Sequence, residues 1–182
     1  MSISMASTKP REHTPHGRKA VKEALLDAAT DLFAAHGHNG VAMRDIAARA
    51  RVNYGLMHRH FGSKQALLRA VLDRLVTRVN AGIGASDGDD LDTVLRQTLS
   101  STAVHGDYFR ILARAMLDGA GRDEIQTSFP VADKLVAAAT AAGVDHPRDH
   151  VARQLATGLG WLVFGPYIRA ATGVDGNTDT TA

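Results

Sequence analysis

The chain has 182 residues, 45% of them hydrophobic and 22% charged, which is the balance of a folded globular protein rather than of an apolar-poor disordered chain. It has no cysteine, which excludes disulfides and thiolate metal sites. The net charge of +2 conceals a split: residues 1–64 carry 10 Lys+Arg against 5 Asp+Glu, and the remainder carries 11 against 14, so a basic head precedes an acidic body and points a polyanion such as nucleic acid at the N-terminal end.

Residues 1–17 mix Ser, Thr, His and Pro with Lys9 and Arg11 and lack the apolar core of a secretory leader, so they read as a disordered basic arm, and cytoplasmic residence is the default expectation. From Arg18 to Gly37, Val21, Ala24, Leu25, Ala28, Leu32 and Phe33 recur at the three-four spacing of an amphipathic helix, with Gly37 as its stop. Met43 to Ala50 repeats the pattern over barely two turns, with Met43, Ile46, Ala47 and Ala50 inward. Past Arg51-Val52, Asn53 can cap a third short helix in which Met57 and Phe61, four apart, share the inner face. Ser63 can cap a fourth, whose apolar side is Leu67, Leu68, Val71, Leu72, Leu75, Val76 and Val79.

Gly82 to Asp90 is rich in glycine and aspartate and reads as the loop following the head. Four further helices are expected: about Leu91 to His105, Asp107 to Asp118, Glu124 to Ala142 with a kink at Pro130, and Pro147 to Ala171 with an irregularity at Gly165-Pro166. The longest uncharged stretch, Gln154 to Ile168, is shorter than the ~18 residues a membrane span requires and reads as a buried helix. The polar tail 173–182 is expected to be disordered. The fold class is therefore all-α: a three-helix head over 18–64 containing a helix-turn-helix, and a helical body over 65–172 for ligand binding and dimerisation.

The tight connection between the second and third helices is the arrangement that lets a helix enter a major groove. With Met57 and Phe61 inward, the 3.6-residue period turns Gly55, His58 and Arg59 outward and leaves Tyr54 at the exposed beginning of the helix. This face holds an arginine able to fork onto guanine, groups for bases and phosphates, and no carboxylate to repel a phosphate. Lys64 opposes the dipole of the helix it begins, a local cost of about 0.3–1 kcal/mol that a phosphate would reverse, and this assigns it to the DNA backbone.

The segments Glu23-Ala-Leu-Leu-Asp-Ala-Ala-Thr-Asp-Leu-Phe-Ala-Ala-His-Gly, Met43-Arg-Asp-Ile-Ala and Phe61-Gly-Ser-Lys-Gln-Ala-Leu-Leu closely resemble the TetR family of bacterial transcriptional regulators, over about Val21 to Val76. The resemblance implies a homodimer that places one recognition helix in each of two successive major grooves of an operator, and a body whose ligand changes the spacing of the heads. It implies DNA roles for Arg44, Asn53, Tyr54, Gly55, His58, Arg59, His60 and Lys64, and repression as the sign of regulation. The chain departs from the family pattern at Ala42, where Ser or Thr often caps the second helix, at Arg51, where a turn glycine is common, at Leu56, where Thr often contacts DNA, and at His58, where Tyr is frequent.

In the body, Gly158, Leu159, Gly160, Trp161, Leu162, Val163 and Phe164 make the last helix apolar around most of its circumference, so it needs burial on more than one side, and pairing of the last two helices with their copies is expected. A pocket for a small, partly apolar effector is expected among His105, Tyr108, Phe109, Met116, Phe129, Trp161 and Phe164, with Gln97 or Arg110 for polarity, and core packing accounts for the same residues equally. No cofactor or metal is expected. His58 and His60 are two apart and diverge on a helix, and His146 and His150, four apart, fit a polar helix start. Phosphate-loop, nucleophile-elbow, zinc-protease and dinucleotide motifs are absent, so no enzyme is indicated. The rival classes are a constitutive dimeric DNA binder without an effector and a helical enzyme.

Overall fold

The computed structural model describes residues 15–83, 90–121 and 125–174. These residues form eight helices and no strand: α1 (Arg18–His36), α2 (Met43–Arg49), α3 (Tyr54–Phe61), α4 (Lys64–Gly82), α5 (Leu91–Val104), α6 (Gly106–Leu117), α7 (Pro130–Ala141) and α8 (Pro147–Thr172). Most of the basic arm, the glycine and aspartate-rich loop over 84–89, Glu124 and the tail from 175 onward lie outside the described residues. No described helix is long and apolar enough to cross a membrane.

The head is built by the periodicity of its helices. On α1, Val21, Leu25, Ala28, Ala29 and Phe33 are buried, and all seven apolar positions read for α4 are buried against them. Ile46 and Ala47 of α2 and Met57 of α3 close the same core, while Met43 and Phe61 are half-buried at its edge. Asn53 caps α3 by accepting from the Gly55 N–H at 2.8 Å, and Ser63 caps α4 by accepting from the Ala66 N–H at 3.1 Å. Ala42 sits at the N-cap of α2 with no side-chain bond.

The α2–α3 turn explains the residue at 51. The Val52 N–H donates to Ala47 O at 2.9 Å and the Arg51 N–H to Ala48 O at 3.0 Å, the paired bonds of a Schellman stop. That stop requires a left-handed residue, and Arg51 adopts φ 55°, where the same stops after α6 and α7 use Gly119 and Gly143.

The body packs α5 against α4 and α7, α6 against α1, α4 and α8, and α7 against α8. One buried apolar cluster runs from Val21 in α1 to Val151 in α8, so α4 and α6 belong to the packing of both halves. The structure departs from the sequence expectation before Pro130. The helix expected over Glu124–Ala142 with a kink at Pro130 instead begins at Pro130: residues 126–129 are non-helical, and proline occupies the first turn, where its missing N–H costs nothing. At Gly165-Pro166 the helix is not ended: α8 runs through Pro166, which has no N–H to donate within the helix, to Thr172.

Cations from elsewhere in the chain hold two helix ends and one connection. Arg114 of α6 donates to the carbonyls of Ala35 at 2.8 Å and Ala34 at 3.4 Å, at the C-terminus of α1. Lys134 of α7 reaches Ile83 O at 3.1 Å and Asn80 O at 3.4 Å, at the end of α4. Lys64 reaches Val41 O at 3.3 Å and Asn39 O at 3.4 Å, before α2. Arg114 and Lys134 thereby place positive charge at helix C-termini, where carbonyls lack helical partners, and Lys64 ties the start of α4 to the α1–α2 connection.

Candidate nucleic-acid interface and body cavity

The third helix presents its expected faces. Met57 is fully buried, whereas Tyr54, Gly55, Leu56, His58 and Arg59 are exposed together with Asn53; His60 is half-buried beside Phe61, the ring centroids 6.2 Å apart. Arg44 is exposed on α2. Gly55 has a local cause beyond close approach to a ligand, because a Cβ there would lie 3.1 Å from the Asn53 Oδ1 that caps the helix. Leu56 is 38% exposed, a large aliphatic side chain on an otherwise polar face.

Lys64 is placed differently from the reading that gave it to phosphate on dipole grounds. Its ammonium lies against the Asn39 and Val41 carbonyls, which offset the dipole cost, so the local argument for an anion there lapses. Those two bonds still leave one of three N–H donors for a phosphate.

The body contains a cavity of about 550 Å³ whose wall includes Tyr108, Phe109, Leu112 and Met116 of α6, Leu135 of α7 and Leu159 of α8. Of the seven residues expected around a pocket, Tyr108, Phe109, Met116 and Phe129 line it. His105, Trp161 and Phe164 do not, and neither Gln97 nor Arg110 supplies its polarity. His105 instead ends α5 beside Arg74 and Asp107, in a smaller polar hollow against α1. Trp161 is half-buried and Phe164 is 54% exposed on the outer side of α8, where Val163 and Tyr167 are exposed as well.

Beside the expected Tyr108, a buried polar group of the wall comes from a residue the sequence reading did not single out. Gln126 is buried in the connection before α7, where its Oε1 accepts from the Tyr108 hydroxyl at 2.6 Å and its amide donates to Ser128 O. Treating 124–129 as helix hid it. A glutamine between Ile125 and Phe129, just before a proline at a helix start, is the signal that could have found it.

Residues 25–71 match the family described as bacterial regulatory proteins, tetR family. The HTH-type transcriptional repressor Rv3405c of Mycobacterium tuberculosis is 42% identical over 174 residues, an alignment that covers 93% of this chain and 88% of that protein. The chain belongs to the TetR family. Solved structures agree on the fold of this TetR-family chain: a transcriptional regulator of Rhodococcus sp. RHA1 superposes with a TM-score of 0.69 at 23% identity over 81% of this chain and 86% of that one. A structure reported for the control of antibiotic production by bacterial hormones superposes with a TM-score of 0.67 at 22% identity over 86% and 90%. This TetR-family protein is thus an all-helical transcriptional regulator with an N-terminal helix-turn-helix, and its relatives are regulators rather than enzymes.

Proposed function

We propose that this TetR-family protein is a cytoplasmic repressor that binds its operator as a homodimer and is released by a small, partly apolar effector held in the body cavity. Residues 18–64 act as the DNA-binding head and 65–172 as the ligand-binding and dimerisation body. Arg44, Asn53, Tyr54, Gly55, His58, Arg59, His60 and Lys64 contact the duplex, with Arg59 placed to read a base edge and Lys64 to add a phosphate contact. Leu56, exposed on the same face, has only one apolar partner available in a major groove, the thymine methyl.

The observation that carries this reading is the double engagement of α6. One side of the helix forms the cavity wall with Tyr108, Phe109 and Leu112, and its last turn holds the C-terminus of α1 through Arg114. An occupant that shifts α6 therefore pulls on the head directly, and a coupling of about 1–3 kcal/mol suffices for a 5- to 150-fold change in operator affinity. The exposed Val163, Phe164 and Tyr167 on α8 supply an apolar face that a second copy would cover.

Two measurements test the reading. Light scattering behind a sizing column gives twice the 19.3 kDa chain mass for a homodimer, and a monomer at micromolar concentration refutes the paired body. Fluorescence anisotropy against the DNA upstream of the protein's own coding sequence, at fixed salt, gives specific binding that an extract of the host's apolar metabolites weakens. Specific binding that no extract fraction alters returns the protein to the constitutive class.

A further inference from the structure

The cavity wall carries information about the charge of its occupant. Among the described wall residues only Asp92 and Arg96 are charged, and they pair directly with each other, one turn apart on α5. Both side chains are more than half exposed, which puts the pair at the solvent edge of the cavity rather than in its depth. Thr98 donates its hydroxyl to Val94 O at 2.8 Å within its own helix. The rest of the buried wall among the described residues is aliphatic and aromatic apart from the Tyr108 hydroxyl and Gln126.

That pair defines a hydrogen-bonding corner. The Tyr108 hydroxyl donates to Gln126 Oε1, and the Gln126 amide donates one hydrogen to Ser128 O. The phenol oxygen keeps acceptor capacity, and the amide keeps a second hydrogen. Burial pushes the Tyr108 phenol up to about 12, with the Gln126 bond opposing and the negative charge of Asp73 adding to the rise, so the corner stays neutral at physiological pH. A carboxylate or ammonium carried to this buried corner would lose its hydration with no opposite charge among the described wall residues there, since Asp92 and Arg96 lie at the solvent edge, whereas a hydroxyl or carbonyl would find a donor and an acceptor.

We infer that the occupant of the cavity is an uncharged amphiphile: an apolar body enclosed by α5 to α8, carrying a single hydroxyl or carbonyl group seated against Tyr108 and Gln126. Its volume falls in the range of drug-sized sites, roughly 300–1,000 Å³, so the site takes a molecule larger than a solvent or a simple metabolite fragment. Met116, 61% exposed, and Phe129, 37% exposed, form an apolar rim through which such a molecule enters. This inference rests on the reading of the cavity as the effector site, which it deepens by naming the ligand's chemistry.

Three probes of equal chain length separate head-group charge from hydrophobicity: 1-decanol, decanoate and decylamine, titrated calorimetrically into the full chain at pH 7.5. Decanol is expected to bind at least about thirtyfold more tightly than either ion. Ala132→Phe, which fills the cavity from a half-buried wall position, is expected to abolish decanol binding with the helical circular dichroism unchanged. Tyr108→Phe and Gln126→Leu each weaken decanol about fivefold and leave the ions unaffected. Equal or tighter binding of decanoate or decylamine overturns the inference, as does binding of none of the three, or decanol binding that survives Ala132→Phe. Operator affinity measured in parallel keeps the two readings apart. Selective decanol binding without any change in operator affinity sustains the ligand class and refutes the effector role, whereas release by decanoate sustains the effector role and refutes the class.

Discussion

Replacing Arg114 with Met keeps the aliphatic stem on α6 but removes the guanidinium from the C-terminus of α1. The 2.8 Å bond to Ala35 O is charge-assisted, about 1.5–3 kcal/mol in a protected setting, and the 3.4 Å approach to Ala34 O adds little by itself. Arg114 is exposed, so the bond is discounted to about 1 kcal/mol, with up to about another 1 kcal/mol from the dipole of α1. The expected loss is therefore about 1–2 kcal/mol, which lowers Tm by roughly 2–8 °C for a chain of this size. Native-state hydrogen exchange locates the effect: the Gly37 N–H, which donates to Phe33 O at 2.9 Å, should exchange about 5- to 30-fold faster, while amides in the middle of α7 change less. An unchanged Tm, or a uniform rise in exchange across the chain, would refute the claim that α6 fastens the head at this point.

Arg51 offers a backbone test: Arg51→Gly should be more stable than Arg51→Ala by about 1 kcal/mol in urea unfolding, because only glycine occupies the left-handed stop without strain, and equal stability would contradict it. For Leu56, replacing an operator thymine with deoxyuridine removes one methyl, so affinity should fall about fourfold at the contacted position, the equivalent of about 0.8 kcal/mol. Leu56→Ala should not sense that replacement, and sensitivity in the variant equal to that of the parent would sink the contact. Lys64→Met should lower stability by about 0.5–1.5 kcal/mol through the lost Val41 and Asn39 bonds. If Lys64 also meets a phosphate, the same substitution reduces the slope of log affinity against log salt by about 0.9, and an unchanged slope confines the residue to its structural role.

What could be read from sequence follows the range of the interactions involved. The seven inner residues of α4, the caps at Asn53 and Ser63, and the inward Met57 are fixed by neighbours within a few positions, and the periodicity exposes them. Pro130 was open to two local solutions, a kink or a first turn; Phe129, at φ −128° and ψ 58°, lies outside the helical region and sets the second. The partners of Lys64 lie 23 and 25 positions away and those of Arg114 lie 79 and 80 away, beyond any local pattern. For α8 the sequence shows a helix apolar all round. It cannot say which side meets the cavity, so Leu155 and Leu159 face inward while Trp161 and Phe164, expected in the pocket, lie outside its wall.

Operator recognition depends on the outward face of α3, and one titration tests that face most directly. Anisotropy of labelled upstream operator DNA is measured at fixed salt with the parent chain, Arg59→Ala and Tyr54→Ala, each also competed with unrelated duplex. Arg59→Ala is expected to cost about 1–3 kcal/mol of specific affinity, at least about fivefold, with non-specific binding changed far less, and Tyr54→Ala to weaken the complex too. Specific affinity unchanged in both variants, with their folds intact, would contradict that dependence.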